Sequence, residues 1–313
     1  MRTFTNWTGL KPGDKGAAAA IGNFDGVHIG HQAVIGLTRE IAAKSGAPLG
    51  LVTFEPHPRE VFAPDAPPFR LMSAETKANR LAKLGIDHLY QIEFDRGLAG
   101  LSPEEFARAV IAEGLGLSHV VVGHDFCFGK ARAGNADDLE RLGRELGFGV
   151  TIADLVATGD QRVSSTSIRQ ALTDGRPRDA AAMLGHWHRI DGQVIHGEKR
   201  GRELGFPTAN MSIDRLHPPK FGVYAVKADV LTGPHAGTYD GAASIGVRPM
   251  FGENRANLET YLFDFTGDLY GHHLSIALVD FLRPELKFDS LDALIAQMGE
   301  DCDRARAILA DIA

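Results

Sequence analysis

Cysteine is scarce in this sequence: Cys127 and Cys302, far apart, are the only two in 313 residues. Two such residues supply neither a disulfide framework nor a four-cysteine zinc site. Long apolar runs are missing as well. The longest near the start is Ala17–Ile21, against the about 20 residues that a membrane-spanning helix needs. The opening stretch, MRTFTNWTGLKPGDKG, has no secretory apolar core. Basic charge is in deficit: 33 Lys and Arg face 40 Asp and Glu, for a net charge of −7. A bulk polyanion binder normally carries a basic domain or stripe, and neither half of this chain is strongly basic, so nucleic acid is not an expected partner. No GxxxxGK[ST] occurs, so any phosphate site is built without a P-loop. Repeats and low-complexity segments are also absent. What is present is a composition of 44% hydrophobic and 23% charged residues, enough for ordinary cores. The length suggests two domains, and the exclusions leave a soluble, cytoplasmic protein with no membrane association.

In the first half, Ala17–Ile21, Leu49–Phe54, His88–Ile92, His119–Gly123 and Gly149–Leu155 read as buried strands. Between them lie helical patterns. His31–Lys44 carries Val34, Leu37 and Ile41 near helical spacing, Glu75–Leu84 ends at Gly85, Pro103–Ile111 has Pro in its first turn, and Ala136–Leu146 follows. This alternation predicts an α/β domain with a mostly parallel sheet covered by helices. Ligands in such sheets sit at the carboxyl ends of the strands, which directs attention to GNFDGVHIGH, TFEPHP and GHDFCFG. From about Ile190 the pattern changes. Gln193–His196, Val223–Val230, Gly241–Val247, Leu258–Phe265 and Leu274–Phe281 read as short strands between turns, and Ser290–Ile312 as a terminal helix. These predict a small antiparallel barrel or sandwich closed by a helix. The boundary is expected near the Thr173–Arg178 turn and the Leu184–His188 stretch.

Within GNFDGVHIGH, His28 and His31 stand where a strand gives way to a helix. A helix N-terminus offers N–H groups and partial positive charge, and two imidazoles there can donate hydrogen bonds to phosphate oxygens. They can stabilise charge that builds during attack on an α-phosphate and departure of pyrophosphate. Gly26 and Gly30 allow close backbone approach. The same pattern also suits histidines that only cap the helix. HIGH alone is similar to a class I aminoacyl-tRNA synthetase signature, but no KMSKS-like loop accompanies it. In RVSSTSIRQAL, one of Ser164, Ser165 and Thr166 is expected to cap a helix, with Arg169 about one turn beyond Thr166. Hydroxyls, terminal N–H groups and a guanidinium can cradle β- and γ-phosphates; an ordinary capped surface helix would look alike.

In order and spacing, GNFDGVHIGH, TFEPHP, GHDFCFG and RVSSTSIR resemble the FMN adenylyltransferase module of prokaryotic bifunctional riboflavin kinase/FAD synthetases. GRELGFPTAN, GVYAV, ASIGVRPMFG and LETYLFDFTGDLYGHHLSIALVDFLRPELKFDSLDAL resemble the riboflavin kinase module that follows it. The likeness covers essentially the whole chain. It implies a Rossmann-like nucleotidyltransferase domain over 1–184 and an antiparallel β-barrel kinase domain with a C-terminal helix over 185–313. It implies a nucleotide site at Gly22, Phe24, Asp25, Gly26 and Gly30, with His28 and His31 supporting adenylyl transfer and Ser164–Thr166 with Arg169 holding phosphate. The Glu55–Pro58 loop, with Pro56, Pro58 and Phe62, resembles the segment that holds the flavin ring, and Asp125 sits in the block beside it.

For the kinase half, the resemblance makes Glu259 the base toward the riboflavin 5′-hydroxyl and gives Thr208 and Asn210 to Mg²⁺. Two neutral oxygens two residues apart in an extended segment face one side, where they can share that cation with ATP. Gly201 and Gly205 flank the preceding nucleotide loop. ATP is the implied co-substrate, riboflavin, FMN and FAD the implied substrates and products, and a monomer or weak homo-oligomer the implied state. Cys127 replaces a frequent Arg, Ala131 thins the basic stretch after it, Met250 replaces Thr, and Pro284 replaces a small or charged residue. His186, Trp187, His188 and the pair His272–His273 read as structural or surface groups, and Cys127, among phenylalanines, as a small packed residue.

Overall fold

A computed structural model describes residues 1–154, 157–158, 161–197, 205–250 and 253–312. Its contacts divide the chain into two compact units, Met1–Ala66 with Lys77–Val163, and Pro67–Thr76 with Ser164–Ala313.

The first unit is built on β1 (Arg2–Phe4), β2 (Ala18–Ile21), β3 (Leu49–Glu55), β4 (His88–Glu93) and β5 (His119–Gly123). The pair β6 (Cys127–Phe128) and β7 (Gly134–Asn135) forms a small hairpin, and β8 (Gly149–Ala153) returns to the main sheet. That sheet is wholly parallel, in the order β1-β4-β3-β2-β5-β8. The expected parallel α/β layer is therefore present. The edge strand β1 was not expected, because three residues are too short to display a period. Helices α1 (Ile29–Ser45), α2 (Pro58–Phe62), α3 (Ala74–Lys83), α4 (Arg96–Gly100), α5 (Pro103–Glu105) and α6 (Ala136–Leu146) run between strands, and a wider helical stretch follows α5 over Phe106–Leu115.

All four residues of β2, AAAI, are buried. Small side chains are required there by close neighbours: a Cβ on Gly50 of β3 would stand 2.9 Å from the Ala19 Cβ. The chain runs from β2 to one side of the sheet and from β5 to the other. Strand order thus reverses between them, the place where open α/β sheets hold ligands. GNFDGVHIGH leaves β2 and GHDFCFG leaves β5. Cys127 is exposed rather than packed, since β6 alternates and it is Phe128 that turns inward.

Beyond the short hairpin of β9 (Ala157–Thr158) and β10 (Gln161–Arg162), α7 (Ser165–Thr173) and α8 (Pro177–Leu184) bury Ile168, Leu172 and Leu184 against one another and Leu71. The remaining strands are β11 (His188–Gln193), β12 (Ala209–Ser212), β13 (Gly222–Val230), β14 (Gly237–Met250), β15 (Glu253–Leu262) and β16 (His273–Arg283), followed by α9 (Leu291–Ala310). They form one antiparallel sheet, ordered β11-β16-β13-β14-β15-β12. An isolated bridge, Ile195 to Asn210, brings the chain just past β11 onto β12 and nearly closes the barrel.

Period-two alternation explains the two faces of this barrel. Tyr224, Val226 and Ala228 point into the interior with Ile245, Leu258 and Ile276. Ala225, between them, faces outward with Ala242 and Val279 against Ala305 and Leu309 of α9. Arg283 fastens α9 through charge-assisted bonds to the buried Asp301, the shortest 2.7 Å. The strand expected at Gln193–His196 is displaced: β11 ends at Gln193, the one expected residue it contains, and beyond it Ile195 makes only the isolated bridge to Asn210. β12 was not expected: four residues after Pro207, half of them polar, give almost no pattern.

His188 is 1% exposed, and neither ring nitrogen has a hydrogen-bond partner among the described residues. Burial, aided by His186 and His217, pushes its pKa down to about 3 from 6.5. The folded ring resists a proton that the unfolded chain accepts. Its contribution to stability is thus whole above pH 6.5 and falls as pH drops toward 3. Between pH 7 and 5 the second unit should lose about 2 kcal/mol from this residue. Denaturant midpoints of wild type and His188→Phe at the two pH values measure it; equal pH slopes would refute the assignment.

Candidate active sites

After β2, the loop turns sharply. Phe24 and Val27 have φ of 50° and 44°, and both are buried, so packing holds two non-glycine residues in the left-handed region. Gly26, at φ 87°, lies between them. The turn delivers His28 in extended conformation to the N-cap of α1, where its Nδ1 accepts the His31 N–H at 3.3 Å. The capping reading is therefore true of His28, but it uses only one face of the ring. With Nδ1 as acceptor, the neutral imidazole carries its proton on Nε2, which becomes a donor.

The rings of His28 and His31 stack with centroids 3.6 Å apart, and Phe24 lies 5.0 Å from His31. Burial lowers the His28 pKa to about 4 against a smaller opposing effect of its own hydrogen bond. Burial also holds His31 well below 6.5, reinforced by His28 and Lys77. Both rings are neutral donors at pH 7. A Cβ on Gly30 would come within 3.1 Å of the His28 ring, so the glycine is what lets the ring fold over the helix start.

Along β3, the chain leaves Glu55 into a cis peptide with Pro56, and His57 with Glu60 forms a capping box for α2, whose first residue is Pro58. At the end of α2, Phe62 is 69% exposed, enough for an aromatic face to receive a flat ligand. Its ring meets Phe94 at 5.8 Å, and Phe94 meets Phe54 at 5.7 Å. Asp125 is exposed on the loop after β5. Lys77 escaped the sequence reading. It is buried, with its ammonium 2.9 Å from the Glu55 carboxylate and 3.0 Å from the Thr53 hydroxyl.

Ser164 to Arg169 belong to the second unit. Ser164 is the cap of α7, its hydroxyl accepting the Ser167 N–H at 3.1 Å. Ser165 and Thr166 are the first two helical positions, whose N–H groups have no acceptor within a helix. The Arg169 Nε donates to the Phe69 carbonyl, and the guanidinium lies 5.5 Å from the Phe69 ring.

In the barrel, Asn210 of β12 stands directly opposite Glu259 of β15, which in turn pairs with Ser244 of β14. Opposed residues of an antiparallel pair share a face. Asn210 is buried; its Nδ2 donates to the Thr208 carbonyl at 3.3 Å and reaches the Thr208 hydroxyl at 3.5 Å. Its Oδ1 accepts from Asn257 Nδ2 at 3.1 Å. A Cβ on Gly197 would lie 2.6 Å from that amide. Asn257 was also missed, although its spacing of two from Glu259 on one strand put it on the same face. Gly205, at φ 86°, is exposed. Gly201 lies outside the described residues, as does the side chain of Met250.

Together, these units define a two-module enzyme class: a parallel nucleotidyltransferase-type sheet and an antiparallel kinase barrel in one chain. Residues 10–167 match the FAD synthetase family and 184–309 the riboflavin kinase family. The chain is 42% identical over 302 residues to a bifunctional riboflavin kinase/FMN adenylyltransferase of Pseudomonas fluorescens, covering 96% of each. It is 40% identical to that of Escherichia coli K12, over 92% of this chain and 91% of that one. It is 39% identical to that of Listeria monocytogenes, over 99% and 96%. A solved structure described as a macrolide-efflux protein from Streptococcus pneumoniae aligns with TM-score 0.81 and 31% identity over 96% of each chain. The chain belongs to the bifunctional riboflavin kinase/FMN adenylyltransferase family.

Proposed function

We propose that the chain converts riboflavin and ATP to FMN and ADP, then FMN and a second ATP to FAD and pyrophosphate. The observation that carries this reading is the register that sets Asn210 against Glu259 in a riboflavin kinase barrel. There Glu259 takes the proton of the riboflavin 5′-hydroxyl as that oxygen attacks the γ-phosphorus of ATP and ADP leaves. Thr208 and Asn210 fit Mg²⁺ chemically. Both offer hard neutral oxygens, and the Asn210 Oδ1, accepting one bond from Asn257, retains a second lone pair. Bound there, the cation supplies charge neutralisation at the ATP phosphates. Gly201 and Gly205 flank the loop assigned to nucleotide.

For the second step, a phosphate oxygen of FMN attacks the α-phosphorus of ATP, and pyrophosphate departs. His28 and His31 donate to the phosphates as neutral imidazoles, beside backbone of Gly22, Phe24, Asp25, Gly26 and Gly30. Ser164, Ser165, Thr166 and Arg169 are assigned to the β- and γ-phosphates, and Pro56, Pro58, Phe62 and Asp125 to the flavin. The catalytic modules are taken as 1–184 and 185–313, a division supported by the two family matches. Small molecules are its partners, without nucleic acid or membrane; it works in the cytoplasm as a monomer or weak homo-oligomer. Efflux is not adopted, since no helix among the described residues is long and apolar enough to cross a membrane.

Incubation with riboflavin, ATP and Mg²⁺, resolving the products over time, tests the whole reading. FMN should appear first, with ADP, and then FAD with pyrophosphate. FMN that never becomes FAD would mean a failed adenylylation module, to which the departures at Cys127 and Ala131 would point. Absence of both nucleotides would favour a flavin-binding protein without turnover.

A further inference from the structure

Lys77 is 2% exposed. Burying an ammonium carries a large desolvation cost, and a buried ion pair is often no better for stability than apolar residues of the same volume. Its place therefore calls for a reason other than packing. Three of its contacts are specific: Glu55 Oε1 at 2.9 Å, Thr53 Oγ1 at 3.0 Å and the Asn23 carbonyl at 3.4 Å. The Thr53 hydroxyl donates to that same carbonyl at 3.1 Å. Two donors, one charged, thus converge on Asn23 from the end of β3 and from α3. Asn23 is the residue before Phe24, whose left-handed backbone begins the turn toward His28.

We propose that Lys77 is a positioning residue for adenylyl transfer, its buried ammonium joining the end of β3 to the Asn23–Phe24 turn and so fixing the His28–His31 pair. This rests on the adenylyltransferase reading above. Without the ammonium, the carbonyl of Asn23 keeps one donor, and the turn that packs Phe24 against His31 is free to relax. A shift of about 1 Å in a positioned group costs up to about 10²-fold in rate. The titratable groups facing His31 are His28 at the N-cap of its own helix, Lys77 from α3 and, through Lys77, Glu55 from β3. The positive charge of Lys77 helps hold His31 neutral, so its loss also has an electrostatic consequence.

The test uses the full-length enzyme with FMN, ATP and Mg²⁺, and follows FAD. Lys77→Met should lower kcat about 10- to 100-fold with small changes in KM, while riboflavin phosphorylation, carried by the barrel, continues and the melting curve reports the fold of the first unit. Its acid limb should move to higher pH, because His31 loses a positive neighbour; Lys77→Arg should leave that limb in place. Since Lys77→Met strands the Glu55 carboxylate, the pair Lys77→Met/Glu55→Gln is measured beside it. A double variant that melts like wild type but stays slow in kcat, with little change in KM for FMN and with Lys77→Arg restoring the rate, supports the proposal. Wild-type kcat in the double variant, an unmoved acid limb in Lys77→Met, or Lys77→Arg as slow as Lys77→Met would overturn it. If wild type itself makes no FAD, it is the adenylyltransferase reading that fails instead.

Discussion

A Glu259→Gln enzyme should form FMN about 10²–10⁴-fold more slowly than wild type, the usual worth of a general base. Gln is nearly isosteric with Glu. The residue lies on β15, hydrogen-bonded through its backbone to β12 and β14, and those ladders do not depend on the carboxylate. Stability should hardly change, and riboflavin and ATP should still bind. FAD formation from supplied FMN should proceed at the wild-type rate. Thr208→Ala should differ in kind, weakening metal–nucleotide binding and recovering in part at raised Mg²⁺. Steady-state rates with each flavin, at two Mg²⁺ levels, separate the cases. A Glu259→Gln enzyme at full rate, with chemistry shown to limit turnover, would return Glu259 to the status of a strand residue.

His28→Asn and His31→Asn should each suppress FAD formation by about 10²–10³-fold, the scale of losing one preorganised donor to a charged transition state, and leave FMN formation intact. The structure distinguishes the two. Asn at position 28 can still cap α1 through its side-chain oxygen, so that variant should fold well and lose the Nε2 donor alone. His31 packs against Phe24 and His28, so His31→Asn should also lower the melting temperature of the first unit. Unchanged FAD synthesis in both variants would leave the pair as capping and packing groups only.

Much of this arrangement was legible in the residues. Ala17–Ile21 followed by GNFDG announced a buried strand ending in a turn, and the structure has β2 and the Phe24–Val27 turn there. The cap expected among Ser164–Thr166 is Ser164. Features that depend on distant partners were not legible. Lys77 sits in a helix of mostly polar residues, where nothing in the local pattern singles it out; only folding brings it to Thr53 and Asn23. His188 reads as a structural or surface group; that it is the structural kind, 1% exposed, is decided by the sheet around its strand and not by its neighbours in sequence. β12 holds a proposed metal ligand yet shows too few residues to register, since its identity as a strand comes from its partner β15 rather than its own pattern.

The peptide 67–76 groups with the second unit although residues on both sides of it belong to the first. In topological terms the chain changes unit three times, so no single scission separates the two cores. A piece ending at residue 163 would carry Leu71 away from Ile168 and Leu172, the residues that bury it, and would present a bare apolar side chain to water. A piece beginning at Gly185 keeps the whole barrel interior but forfeits that small cluster. Inheritance of the first half without the second, by gene fission or by recombination, would have to recast this decapeptide so that Leu71 found new cover.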